Sequence, residues 1–131
     1  MRLVRGYLLL MAAVFAVLGV LYAFVPTIFL DATGFEGLPP EALTDYRATY
    51  GGLQIGIGGF LIWAALNASR HRAGLMALSI MFPAIAAVRA YGLAADGEWT
   101  TILVGALALE ITLSVVSLIL LRKTNRAPID S

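Results

Sequence analysis

Tyr7-Leu-Leu-Leu-Met-Ala-Ala-Val-Phe-Ala-Val-Leu-Gly-Val-Leu-Tyr-Ala-Phe-Val25 is a run of nineteen residues without a charge, ended by Pro26. A helix rises about 1.5 Å per residue and the hydrocarbon core of a bilayer is about 30 Å thick, so about twenty such residues cross it. Arg2 and Arg5 ahead of the run give it the look of a signal peptide. The apolar region of a signal spans only about 7–15 residues and ends at a small-residue cleavage site. Here the apolar run continues through Leu21 to Val25 with no such site, so a retained transmembrane helix is expected.

Segments of the same kind recur at residues 47–66, 73–94 (containing Pro83) and 100–121. The expected fold is therefore an all-α membrane protein. It is an up-down bundle of four transmembrane helices in a single domain over residues 1–131, with the first helix at about 7–25. Of the 131 residues, 60% are apolar and 13% charged, and the mean hydropathy is +0.88. Soluble domains carry about 25% charged residues, so this chain lacks the polar surface to cover itself in water. A net charge of +1 provides no basic field for nucleic acid. The absence of cysteine excludes disulfides, thiolate chemistry and Cys-based metal sites, and the lone His71 excludes a His-rich one. No metal and no other cofactor is expected.

The charges order the segments. Arg2 and Arg5 precede the first, Arg70, His71 and Arg72 fill the gap between the second and third, and Arg122, Lys123 and Arg126 follow the fourth. Seven of the nine Lys and Arg residues thus lie on one side. Asp31, Glu36, Glu41, Asp45, Asp96 and Glu98 lie on the other. Excess Lys and Arg mark the cytoplasmic face, so both termini are expected inside. The sequon Asn67-Ala-Ser69 then falls on the cytoplasmic side and is discounted. In the first outer loop, Pro26-Thr-Ile-Phe-Leu30 is apolar enough for the interface, and Gly34 and Gly37 break it. Pro40, with Glu41 and Asp45 in the turns that follow, suits the positive end of a helix dipole, so the second helix is expected to begin outside the bilayer. Tyr22, Tyr46, Tyr50, Tyr91 and Trp99 fall near the outer boundary and Tyr7 and Trp63 near the inner one, as an aromatic belt does.

Arg47, Arg89 and Glu110 do not fit this pattern. Glu110 lies ten residues into the fourth segment, hence about 15 Å deep. Arg89 lies about 8 Å below the outer end of the third, within reach of an arginine side chain. Charges at membrane depth cost about 2.5–3.5 kcal/mol each on insertion scales and usually pair inside the protein, so an Arg89–Glu110 ion pair is expected. Arg47, Gly51, Gln54 and Gly58 share a helix face beside Tyr50, and Glu110, Ser114 and Ser117 share another. If the bundle is compact, these stripes face one another. They then form a polar pocket in the outer half from Arg47, Tyr50, Gln54, Arg89, Tyr91 and Glu110.

Two arginines against one glutamate leave a positive charge for a lipid phosphate, a fatty-acid carboxylate or a polar quinone-like head. The plainer reading places Arg47 at the interface with Glu41, Asp45 or lipid phosphate, and makes Arg89–Glu110 a helix lock. Gly52-x-x-x-Gly56 is a small-residue packing motif, serving a helix of this chain, a second copy or a membrane complex. Gly56-Ile-Gly58-Gly59 is mid-membrane without a preceding strand and is no nucleotide loop. Pro83 is expected to kink its helix.

Three functions are compatible with these residues. The first, and preferred, is a non-enzymatic protein binding a lipid-like or amphipathic ligand or a membrane partner. The second is a small enzyme of isomerase or proton-transfer type acting on a lipid or quinone-like substrate, with Glu110 as acid or base. The third is a structural subunit of a larger complex. Whether the chain is an enzyme stays open, because no strong nucleophile or metal site marks a reaction.

The pattern Arg47-x-x-Tyr50-Gly51-Gly52-Leu53-x-x-Gly56, followed by Arg89 with Gly92 and then Glu110, resembles the bacterial small membrane proteins of domain-of-unknown-function family 4345. The similarity extends from the Tyr22-x-x-x-Pro26 end of the first helix to the last, and the Tyr-Gly-Gly element with its upstream arginine is its most specific part. The resemblance implies a four-helix protein of a bacterial inner membrane. It brings no established activity and no site residues.

Overall fold

The computed structural model of the protein describes residues 1–34 and 37–126. Glu36 and the side chain of Arg126, two of the charges that order the segments, lie outside the described residues. Every regular element among the described residues is helical. The chain divides into two compact units, Met1–Arg70 and His71–Ser131.

The first unit opens with α1, Arg2–Phe24. Its last turn closes through the Val25 N–H, which donates to the Leu21 carbonyl at 2.8 Å, and Pro26 ends it. The short helix α2, Thr27–Ala32, occupies the interfacial stretch. Gly34 at φ 77° and Gly37 at φ 61° supply the left-handed backbone that glycine adopts at little cost. Helix α3, Pro40–Tyr46, starts with Pro40 at its N-terminal position and Glu41 in its first turn, as the dipole argument requires. It passes directly into a π-helical turn, Arg47–Gly52, and then into α4, Leu53–Ala65. A 3₁₀ turn, Ala68–Arg70, follows, entered through Asn67, whose Oδ1 accepts from the Ser69 N–H at 3.0 Å and the Ser69 hydroxyl at 2.9 Å.

The second expected span is therefore not one α-helix. Its α-helical part has 13 residues, about 20 Å, short of the roughly 30 Å of a hydrocarbon core. Among the described residues three helical stretches are long and apolar enough to cross a membrane, Arg2–Phe24, Ala68–Asp96 and Thr101–Asn125, rather than the four expected. The reason is local: adjacent Gly51 and Gly52 each lower helix stability by about 1 kcal/mol relative to alanine, and the backbone there widens by one residue per turn.

Helix α4 packs antiparallel on α1 through small residues. A Cβ at Gly51 would lie 2.8 Å from that of Ala23, one at Gly19 2.9 Å from the Gly51 carbonyl, and one at Gly58 3.1 Å from the Ala12 carbonyl. Gly51 and Gly58, two members of the expected polar stripe, therefore belong to the seam with α1. Positions 52, 56 and 59 have nothing within 4 Å of such a Cβ, so Gly52 and Gly56 do not make the α1 seam.

The second unit is a helical hairpin of α5, His71–Asp96, and α6, Thr101–Arg126. Gly97 at φ 73° ends α5, its N–H donating to the Leu93 carbonyl at 3.2 Å. This is the left-handed cap that favours glycine. Thr100 caps α6, its Oγ1 accepting from the Leu103 N–H at 3.3 Å. Pro83 sits within α5 without dividing it. Large apolar side chains stand exposed along α1 and α6, among them Val17, Leu109, Ile111 and Val115. Only 11% of the most apolar window of Thr101–Asn125 is buried, a surface suited to hydrocarbon rather than water.

Candidate functional site

In the second unit, Arg89 and Glu110 meet as their depths predict. The Arg89 Nε donates to both carboxylate oxygens of Glu110 at 2.9 Å, and Nη2 donates to Oε1 at 2.6 Å. Two nitrogens of the guanidinium thus grip one carboxylate, the strongest form of this interaction. Glu110 is only 9% exposed, while the Arg89 side chain is 30% exposed, so the pair is buried at the acid and open at the base.

The polar interior of the described residues lies in this unit: His71, Ser79, Glu110, Ser114 and Ser117 are its buried polar or charged members. Glu110, Ser114 and Ser117 share a face of α6 at spacings of four and three, and the Ser114 hydroxyl donates to the Glu110 carbonyl at 2.7 Å. That bond satisfies a hydroxyl in an apolar setting without a second helix. The Ser79 hydroxyl is buried without a hydrogen-bond partner. Tyr91 is 74% exposed and is not part of this interior.

Near the Arg89–Glu110 pair, toward the loop, a cavity of about 210 Å³ is lined by Arg89, Gly92, Leu93, Asp96, Glu98 and Leu103. Gly92 opens its wall: a Cβ there would touch the Asp96 carboxylate at 3.8 Å. Along the sequence Asp96 and Glu98 read only as charges on the outer side, which gives no sign of this cavity. The signal available was spacing, since Asp96 stands seven residues, two helical turns, beyond Arg89 on the same face.

In the first unit the expected site residues gather at the π turn. The rings of Tyr22, Phe29, Tyr46 and Tyr50 form one cluster. Tyr22 stacks on Phe29 at 3.9 Å between centroids and lies 5.6 Å from both Tyr46 and Tyr50, which are 4.7 Å apart. Arg47 is exposed. Gln54 is half-buried, and its Oε1 accepts no hydrogen bond. π turns are rare and recur at functional sites. In this one Tyr50 joins the ring cluster while Gly51 packs on α1. At the other end of the unit Phe60 stacks on Trp63, and the Arg70 guanidinium lies 4.6 Å over the Trp63 ring.

The six expected site residues therefore form two groups, Arg47, Tyr50 and Gln54 in the first unit and Arg89, Tyr91 and Glu110 in the second. Chemically, each oxygen of Glu110 is engaged by Arg89, so the pair offers polarity and fixed charge to a ligand rather than a lone carboxylate to a substrate proton. Among the described residues no group of three or more His, Cys, Asp or Glu side chains is arranged to hold a metal. The family model described as Domain of unknown function (DUF4345) matches residues 3–121, a span that includes both groups. No curated protein and no solved structure matches the chain.

Proposed function

The chain belongs to the DUF4345 family, and from that premise we propose that it is a small polytopic membrane protein that binds a lipid-like or amphipathic ligand. In this reading the helical run from Pro40 through the π turn to Ala65 serves as the fourth crossing. Both termini face the cytoplasm of a bacterial inner membrane, and the polar groups at Arg89–Glu110 and at Arg47, Tyr50 and Gln54 lie in the outer half. The observation that carries the reading is the Arg89–Glu110 pair, buried at its acid end and bordered by a cavity. Burying a carboxylate is costly. An apolar pair would hold the hairpin as well or better, so retaining charge beside a cavity fits recognition of a polar head.

The test is native mass spectrometry of the detergent-purified protein. A lipid-sized adduct should persist, and Arg47→Ala should reduce it. A protein that sheds all lipid would refute the reading.

A second reading has one observation in its favour. Gly52, Gly56 and Gly59 leave open surface on the helical run of the first unit, and small residues in membranes favour close helix approach. Under it the chain is a subunit that docks on a second copy or a larger complex. Cross-linking in native membranes would recover that partner, and a lone monomer would speak against it. A third reading, an isomerase or proton-transfer enzyme with Glu110 as acid or base, has less support, because Arg89 already occupies both carboxylate oxygens.

A further inference from the structure

Pro83 lies within α5 and has no N–H, so it gives nothing to the carbonyl of Ser79 four residues before it. The side chain of the same residue is also unsatisfied. Ser79 is 8% exposed, and its hydroxyl has no hydrogen-bond partner among the described residues. A hydroxyl in a helix commonly bonds back to the carbonyl one turn earlier. On α6, Thr112, Ser114 and Thr124 do so at 2.7–2.8 Å. Ser79 does not, although Leu75, Leu78 and Phe82 bury the same part of α5 in apolar contact. Inside a bilayer, groups freed in this way are satisfied by neighbouring helices, by Ser or Thr side chains or by ordered water.

A second serine stands across the seam. Arg89 meets Glu110 and the two arms run antiparallel, so ten residues inward on α5 match ten residues onward on α6. Ser117 therefore lies within one turn of Ser79, about 4.5 Å along the helix axis. It is 0% exposed.

We propose that Ser79 and Ser117 hold a water molecule inside the hairpin, at the point where Pro83 interrupts the backbone bonding of α5. The water donates to the Ser79 carbonyl and to the Ser117 hydroxyl oxygen, and it accepts from the Ser79 hydroxyl. Three bonds are the usual number for a buried water. A serine oxygen has two acceptor positions, so Ser117 takes this bond beside any other that it makes. The water replaces the bond that Pro83 removes, in keeping with α5 continuing through Pro83 as one helix. It also carries the polar face of Glu110, Ser114 and Ser117 across to α5. The site lies about 15 Å inward of Arg89 along α5, apart from the loop cavity, and does not depend on lipid binding.

The experiment is solid-state NMR of the isotope-labelled full chain in phospholipid bilayers, read as magnetisation transfer from water to each residue. Transfer to Ser79 and its neighbours through Phe82 should stand well above that to Ile111 and Val115, whose side chains are exposed on α6. Ser79→Ala should reduce it to the level of those two residues. Pro83→Ala should reduce it as well, because the restored N–H takes over the Ser79 carbonyl. Ser79→Ala should also lower the thermal midpoint by a few degrees, since a bridged hydroxyl stabilises the fold. A wild type with no such transfer would overturn the proposal. So would transfer that persists at full strength in either variant. A midpoint that rises in Ser79→Ala would overturn it too, because removing a hydroxyl with no partner at all relieves a cost.

Discussion

Arg89 holds Glu110 with two nitrogens at once, Nε at 2.9 Å from each carboxylate oxygen and Nη2 at 2.6 Å from Oε1. The two residues come from opposite arms of one hairpin and stand at matched depth on α5 and α6. The pair therefore fixes the register of the arms, and its acid is buried on the face of α6 that also carries Ser114 and Ser117.

Breaking the pair leaves an uncompensated charge. Arg89→Ala and Glu110→Ala should each lower stability by about 2–4 kcal/mol, the usual cost of orphaning a buried partner, reduced somewhat by the exposure of Arg89. The double variant should lose much less than the sum. Unfolding in mixed micelles, followed by circular dichroism across the double-mutant cycle, measures this. Additive losses would mean the pair contributes nothing as a pair.

The glycines should divide by face. A methyl group at Gly51 meets Ala23 at 2.8 Å, so Gly51→Ala should cost about 1–3 kcal/mol through overpacking. Gly52 has open space and a helical backbone at φ −61°. Gly52→Ala should therefore be neutral, or stabilise the monomer by up to about 1 kcal/mol through helix propensity. The same unfolding assay compares them. Equal losses at both positions would show that Gly52 also packs closely, as the subunit reading requires.

The hairpin turn depends on two residues. Gly97 adopts φ 73°, where a side chain is strained, so Gly97→Ala should cost about 1 kcal/mol. Thr100→Ala removes the acceptor for the Leu103 N–H and should cost about as much. Thermal melts of the two variants would be indistinguishable from wild type if these caps were irrelevant.

The proposed topology is open to chemical labelling, because the chain has no cysteine. A membrane-impermeant maleimide should label Glu98→Cys in intact cells and should leave Ser69→Cys unlabelled until the membrane is opened. Labelling of Ser69→Cys from outside would invert the topology.

Much of the hairpin can be read from the chain itself. The apolar runs locate α1, α5 and α6 within a few residues. Two charges at similar depth, too costly to leave alone in hydrocarbon, point to Arg89 pairing with Glu110. The π turn is not visible in this way. Periodicity arguments assume 3.6 residues per turn, and one widened turn at Arg47–Gly52 shortens the α-helix that follows. Gly52-x-x-x-Gly56 reads as the packing motif because glycine spacing alone does not say which face meets a partner, and it is Gly51 and Gly58 that carry the seam with α1. The cavity was hidden for another reason: Asp96 and Glu98 read as ordinary loop charges until the end of α5 folds the Asp96 carboxylate over Gly92.

The measurement that bears most directly on ligand binding separates the pair's structural role from its recognition role. Replacing both partners together, as R89M/E110M, leaves no orphaned charge, so the hairpin should remain folded. Native mass spectrometry of this variant beside wild type then reads retained lipid alone. Loss of the adduct from a folded R89M/E110M is the predicted result. A folded variant that keeps its full adduct would contradict the account and reduce Arg89–Glu110 to a helix lock.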